Sequence, residues 1–215
     1  MADLVFLHTS PVHVATFEAL LKALAPQRSA IHHVREDLLA RAQRDGLDDA
    51  GLVAAVRSAL LDAASGARVM VCTCSTLGGI AEATQADVPV TRIDRAMADE
   101  AVMLGAPVLV LAALHSTLGP TAQLLQSSAE RLGRPLQWRS VCVDEAWPHF
   151  EAGRRDAYLA NIAAAVRREA RPGETVVLAQ ASMAGAAELL ADTGLVVLSS
   201  PKCGLVEALR FCETP

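Results

Sequence analysis

Arg68-Val69-Met70-Val71-Cys72-Thr73-Cys74-Ser75-Thr76-Leu77-Gly78-Gly79-Ile80-Ala81 is the stretch that decides the fold. Residues 68–73 read as a buried strand, and a helix starts near Leu77. Cys74-Ser75-Thr76 therefore lies at the carboxyl end of the strand, where open α/β sheets carry their chemistry. A thiol there, followed by two hydroxyls and the unpaired N–H groups of a helix start, sits where thiolate is favoured and where a carboxylate can be held.

Outward from this stretch, short apolar runs alternate with helical patterns. Leu4-Val5-Phe6-Leu7 reads as a strand, and Ser10-Pro11 supplies an N-cap and a first-turn proline for a helix with Val14, Phe17, Leu20, Leu21 and Leu24 on its core face. Residues 30–34 form a second strand. Asp48-Asp49 starts a helix that carries Leu52, Val53, Val56, Leu60 and Leu61 to a stop at Gly66. Residues 89–93 make a fourth strand, and 96–104 a helix closing the half. Strands alternating with helices predict a parallel sheet covered on both faces.

The second half repeats the first at a constant offset of 107 residues: His8 with His115, Ser75 with Ser182, Gly78 with Gly185, Val34 with Val141, Asp37 with Asp144, Val90 with Val197 and Arg95 with Lys202. The expected fold class is α/β, with two pseudo-twofold-related domains, each a mostly parallel sheet flanked by helices. The site falls in the interdomain cleft. Residues 1–104 form the half carrying Cys74 and 105–200 the other; a C-terminal helix in 201–215 is free to pack on the first.

Composition narrows the classes. The 215 residues are 52% hydrophobic but only 3% aromatic, so Ala, Val and Leu must fill the cores. Five cysteines at 72, 74, 142, 203 and 212 suggest neither a disulfide framework nor a metal-ligand set, and reduced thiols fit a cytoplasmic protein. A net charge of −5 with no basic cluster argues against nucleic acid. The acidic start Met1-Ala2-Asp3 is unlike a signal peptide, and no apolar run approaches the ~20 residues of a membrane span. Gly78-Gly79 lacks the spacing of a phosphate loop, so no nucleotide cofactor is expected.

The cleft would bring together Thr9, Ser10, Cys74, Ser75, Thr76, Ser116, Thr117 and Ser182. Hydroxyls and helix-start N–H groups with little basic charge nearby suit a small carboxylate held by hydrogen bonds. Taken singly, Ser10, Ser75 and Ser116 read equally well as helix N-caps. Cys72, Cys142 and Cys212 look like packing residues; Cys203 begins the last helix. His8 and His115 follow strands, and His8, in the same half as Cys74, is the better candidate for its base. Of His32 and His33, on alternate faces of a strand, at most one faces the cleft. Asp37, Asp94 and Asp144 are loosely placed candidates for recognising an amino group.

These residues resemble the aspartate/glutamate/hydantoin racemase superfamily, which includes arylmalonate decarboxylase and maleate isomerase. The resemblance covers the whole chain and centres on Cys74-Ser75-Thr76, which matches the family's Cys-Asn/Ser-Thr motif after the third strand. It implies two similar α/β domains, no cofactor, and an isomerase that moves a proton at the carbon α to a carboxylate, with Cys74 as acid/base. The family's second thiol follows the third strand of the second half. Here Gln180-Ala181-Ser182-Met183 stands there, with Ala181 opposite Cys74 at the constant offset and Gln180 opposite after a slip of one. The family's first-strand acid is represented by His8-Thr9.

With one thiol, racemisation would need His8, His115 or Cys203 as partner. Decarboxylation or cis–trans isomerisation would need Cys74 alone. A non-catalytic carboxylate-binding domain is the remaining reading. The expected partner is a small carboxylate substrate, without nucleic acid or membrane; whether the chain forms a homo-oligomer stays open.

Overall fold

A computed structural model of the chain describes residues 2–213. In order it contains β1 (Ala2–His8), α1 (Val12–Leu24), β2 (Ala30–Val34), α2 (Glu36–Asp45), α3 (Ala50–Ala64), β3 (Ala67–Cys72), α4 (Gly78–Glu82) and β4 (Val90–Arg92). There follow α5 (Arg95–Leu104), β5 (Val108–Ala112), α6 (His115–Leu132), β6 (Trp138–Cys142), α7 (Trp147–Glu151), α8 (Arg155–Glu169), β7 (Thr175–Leu178), a 3₁₀ segment (Ala181–Leu190), β8 (Val196–Ser199) and α9 (Ser200–Arg210). Two four-stranded parallel sheets result, ordered β2-β1-β3-β4 and β6-β5-β7-β8. The chain divides into two compact units, Arg95–Ser200 being one and the residues on either side of it the other.

In the first unit the central strands are apolar throughout because both faces are covered. Val5, Leu7, Met70 and Cys72 point to one side, against Leu38 of α2 and Leu52, Val56 and Leu60 of α3. Leu4, Phe6, Val69 and Val71 point to the other, against Phe17 and Leu21 of α1 and Leu205, Ala208 and Cys212 at the end of the chain. At Gly204 the backbone of α9 lies directly on that of Ile93: a Cβ would overlap the Ile93 carbonyl oxygen and stand 2.7 Å from its carbon. In the second unit Leu109, Leu111, Val176 and Leu178 pack against Tyr158, Leu159 and Ile162 of α8 and Met183 of the 3₁₀ segment.

Several sequence expectations change. α2 carries no side-chain cap and buries only Leu38 and Ala42, which is why no helix was expected there. Asp49 does cap α3, its Oδ1 accepting from the Leu52 N–H at 2.6 Å. Ser10 does not cap α1: the cap position falls on Pro11, because the Ser10 and Pro11 carbonyls already accept the His13 and Val14 N–H groups in a tight turn. The boundary between units comes at Asp94, ahead of α5 rather than after it. α5 buries Met97, Ala98, Ala101 and Val102, while Arg95 donates to Ser127 and Ser128 of α6 and Arg131 of α6 pairs with Asp99.

The repeat is present in strand order but its offset is not constant. The Thr73 N–H donates to the Leu7 carbonyl and the Arg35 N–H to that of His8; in the second unit Ala179 donates to Leu111 and Val143 to Ala112. Leu111 thus corresponds to Leu7, Ala179 to Thr73 and Val143 to Arg35, separations of 104, 106 and 108 residues. His8 consequently corresponds to Ala112, not His115, and Cys74 to Gln180, not Ala181. Loops of different length between equivalent strands absorb the difference.

Candidate active site

The β3–α4 connection folds as a tight turn. The Leu77 N–H donates to the Cys74 carbonyl at 3.1 Å, and the Gly78 N–H to the Ser75 carbonyl at 3.3 Å. Cys72 Sγ also reaches the Cys74 carbonyl, at 3.7 Å. The cap position of α4 falls on Leu77 and makes no side-chain bond. In this turn the Thr9 hydroxyl and the Thr76 and Leu77 N–H groups favour the thiolate form of Cys74. Thr9, Cys74, Ser75 and Thr76 thus form one buried group.

Burial dominates the electrostatics. It pushes the Cys74 thiol above the usual thiol range, and the carboxylate of Asp94 adds to the rise. The Thr9 hydroxyl and the two N–H groups, which favour thiolate, hold it back. The helix start therefore moderates the shift without reversing it, and the expectation of a ready thiolate is corrected: Cys74 rests as a thiol. Cys72, deeper in the strand, is pushed up to about 12 by burial.

His8 is not the base of Cys74. It shares the face of β1 that carries Leu4 and Phe6, while Cys74 packs with Leu7 and Cys72 on the opposite face. Both ring nitrogens are occupied: Nδ1 lies 2.7 Å from Thr73 Oγ1, and Nε2 lies 2.8 Å from Nδ1 of His32. Thr73 Oγ1 donates to the Leu7 carbonyl at 3.2 Å, so it accepts from the Nδ1–H of His8. Nε2 then accepts from His32, and His8 is neutral. His32 Nε2 is buried without a partner. The strict alternation of side chains along a strand already separates His8 from Cys74, and that signal was legible in the sequence.

The histidine cluster makes stability depend on pH. Burial, then the neighbouring His13 and His32, push His8 down to about 3; burial pushes His13 to about 4. His32 is also lowered, by burial, against the opposing pull of Glu18. With folded values below the unfolded one, the unfolded chain binds more protons below pH ~6.5, so stability is lost on acidification. For His8 alone the loss between pH 7 and 4.5 is about 2–3 kcal/mol. Urea unfolding at the two pH values should show at least this loss in wild type and a smaller one in His8→Phe. Equal losses in both proteins would remove His8 from the account.

Asp94 is not available to a substrate amino group, since the Arg92 guanidinium grips it at 2.6 and 3.0 Å with both side chains buried. Asp37 pairs with Arg35 on the surface, and Asp144 starts a 3₁₀ turn. In the second unit Ser116 and Thr117 lie in the first turn of α6, whose cap position, Leu114, makes no side-chain bond. Ser116 Oγ is buried without a partner, whereas His115 is exposed. Ser182 is 2.9 Å from the buried Tyr158 hydroxyl. Gln180, in the position corresponding to Cys74, accepts the Ala113 N–H through Oε1 at 2.6 Å. Sequence reading passed over Arg92, Thr73 and Tyr158, and named Gln180 only as the residue opposite Cys74 after a slip of one. Only Arg92 had a signal, a charge alternating with Asp94 in an otherwise apolar strand. Among the described residues no group of His, Cys, Asp and Glu could hold a metal ion, and no helix is long and apolar enough to cross a membrane.

Comparison with known proteins agrees with this architecture. The chain superposes on aspartate racemase of Picrophilus torridus with a TM-score of 0.75 at 9% identity, covering 98% of this chain and 93% of that one. Allantoin racemase of Pseudomonas fluorescens gives 0.54 at 18% identity over 100% and 97%. A mutant of arylmalonate decarboxylase gives 0.54 at 20% over 98% and 93%. A direct sequence search of curated proteins gives no match. The sequence model of the Asp/Glu/Hydantoin racemase family, however, matches residues 9–208, taking in the Cys74 turn, the Gln180 position and every strand after β1, and the chain belongs to that family.

Proposed function

We propose that the protein is a cofactor-independent isomerase acting on a small carboxylate, with Cys74 moving a proton at the α-carbon. The observation that carries this is Cys74 buried in the turn at the carboxyl end of a central strand, where the Thr9 hydroxyl and the N–H groups of Thr76 and Leu77 favour its thiolate. As thiolate, Cys74 takes the α-proton and becomes a thiol, and the C–H electron pair moves into the carboxylate as an enediolate. Return of a proton to carbon completes the cycle. Hydroxyl and N–H donors that stabilise the enediolate contribute about 3 kcal/mol each to such a step. The expected setting is the cytoplasm, where thiols stay reduced.

A second reading is favoured by two observations. Cys74 rests as a thiol, and its counterpart is Gln180, which is no acid. Both suit a lyase in which the bond to a second carboxylate breaks, CO₂ leaves, and the electron pair left on carbon takes its proton from Cys74. Arylmalonate decarboxylase, among the structural neighbours, fits this reading.

The test is to follow deuterium uptake from D₂O together with chirality for aspartate, glutamate, hydantoins and arylmalonates. With one thiol, exchange should be strongly selective for one enantiomer and net inversion slow, or CO₂ should leave with deuterium entering one face. Inversion of both enantiomers at comparable rates would overturn the single-acid mechanism. Absence of exchange, inversion and CO₂ release with every substrate class would overturn the enzyme reading in favour of a carboxylate-binding domain.

A further inference from the structure

We propose that Arg92 is a positioning residue that fixes the Cys74 turn by gripping the Ser75–Thr76 peptide, a role that rests on Cys74 being the acid/base. Arg92 closes β4 with its guanidinium buried. Nε and Nη2 donate to the two carboxylate oxygens of Asp94 at 2.6 and 3.0 Å, and Nη2 also donates to the Ser75 carbonyl at 3.3 Å. That carbonyl and the Thr76 N–H belong to one rigid peptide plane and point in opposite directions. Holding the carbonyl toward Arg92 therefore fixes the direction of the N–H, one of the donors that favour the Cys74 thiolate. A charge-assisted bond to the carbonyl also polarises the same peptide and makes its N–H a stronger donor.

Gly78 shows how closely the parts are fitted. A Cβ there would lie 2.6 Å from Cζ and Nε of Arg92 and 2.7 Å from Nη2, and these guanidinium atoms are its three nearest neighbours. Its φ is not positive, so the backbone would accept alanine. What requires glycine is the guanidinium lying flat against it. Asp94 has the matching task of keeping the fork oriented and its charge balanced in a buried setting.

The experiment compares wild type, Gly78→Ala, the pair Arg92→Leu/Asp94→Leu, and all three changes together. The readings are the pH dependence of Cys74 alkylation by iodoacetamide, resolved by peptide mapping, thermal unfolding, and kcat and KM on the best substrate. Removing both charges leaves no buried ion alone, so the paired variant should melt near wild type. Loss of the Asp94 carboxylate by itself lowers the Cys74 alkylation midpoint, but loss of the fixed N–H should outweigh it, for a net rise of about half a pH unit or more. Its kcat should fall about tenfold with KM within about twofold.

Gly78→Ala should do the same in wild type and nothing further in the variant lacking Arg92, because the atoms it displaces are gone. A wild-type alkylation profile in Gly78→Ala, which leaves Asp94 in place, or an equal effect of Gly78→Ala in both backgrounds, would overturn the proposal. If the paired variant does not fold, Gly78→Ala and Arg92→Lys decide instead, since lysine keeps the charge but not the fork: a wild-type profile in both overturns positioning. Alkylation is read without turnover, so a shifted profile in a protein that turns over nothing supports the positioning and overturns only the reaction proposed for Cys74.

Discussion

Cys74→Ser should lower the rate of α-carbon exchange or decarboxylation by about 10²–10⁴-fold, the usual contribution of a positioned general acid or base. Serine preserves the size of the side chain and its bonds to Thr9, Thr76 and Leu77. What it loses is an acid or base of useful strength, so KM should stay within about threefold while kcat collapses. Cys142→Ser, a change at a partly exposed thiol ending an edge strand, is the control and should leave the rate unaltered. Activity that survives Cys74→Ser undiminished would remove the mechanism. The pH profile separates the two reactions. Burial raises the thiol, so an isomerase that begins with thiolate should speed up as pH rises toward that value. A lyase that begins with the thiol should slow over the same range.

Gly204→Ala should destabilise the protein by at least about 3 kcal/mol, as overpacking against backbone does. The sign is the point of interest. In an exposed helix interior the same change gains up to about 1 kcal/mol; Gly119→Ala, exposed in α6 but directly before Pro120, whose ring crowds the new Cβ, should fall short of that gain yet cost far less than Gly204→Ala. At Gly204 a methyl group meets the Ile93 carbonyl, which cannot turn aside without disturbing the connection that leads from Arg92 to Asp94. α9 must therefore lift, and with it go the contacts of Leu205 and Ala208 on Leu4, Phe6 and Phe17. Urea unfolding of both variants tests the contrast, and a Gly204→Ala protein as stable as wild type would contradict the packing described.

The two parallel sheets and the Cys74 turn were legible because they rest on local patterns: apolar runs four to six residues long, helices between them, and a strand that ends in Cys-Ser-Thr. His8 was misread although the pattern was sufficient, since alternation along β1 puts it with Phe6 and away from Cys74. The correspondence of Cys74 with Ala181 failed for a different reason. A fixed offset cannot see that loops between equivalent strands differ in length, whereas the bonds from Thr73 to Leu7 and from Ala179 to Leu111 fix the register and bring Gln180 to that place. The resting state of Cys74 was illegible from the motif alone. A helix start argues for thiolate, burial argues against it, and only the packed structure shows burial to be the larger effect. Sequence alone leaves Asp94 open to a substrate amino group and assigns Arg92 no role; only the fold shows the two charges enclosed together.

The return of α9 to the first sheet has a consequence for how the chain is made. The second unit is continuous in sequence, so every residue it contains is translated before Leu205, Ala208 and Cys212. The first unit begins earlier but needs Leu205, Ala208 and Cys212 to cover Leu4 and Phe6, contacts separated by about two hundred residues. Until then one face of its sheet has only α1 to cover it, and such long closures are the slow ones. The part of the molecule that carries Cys74 is thus the first to be translated and the last to be finished.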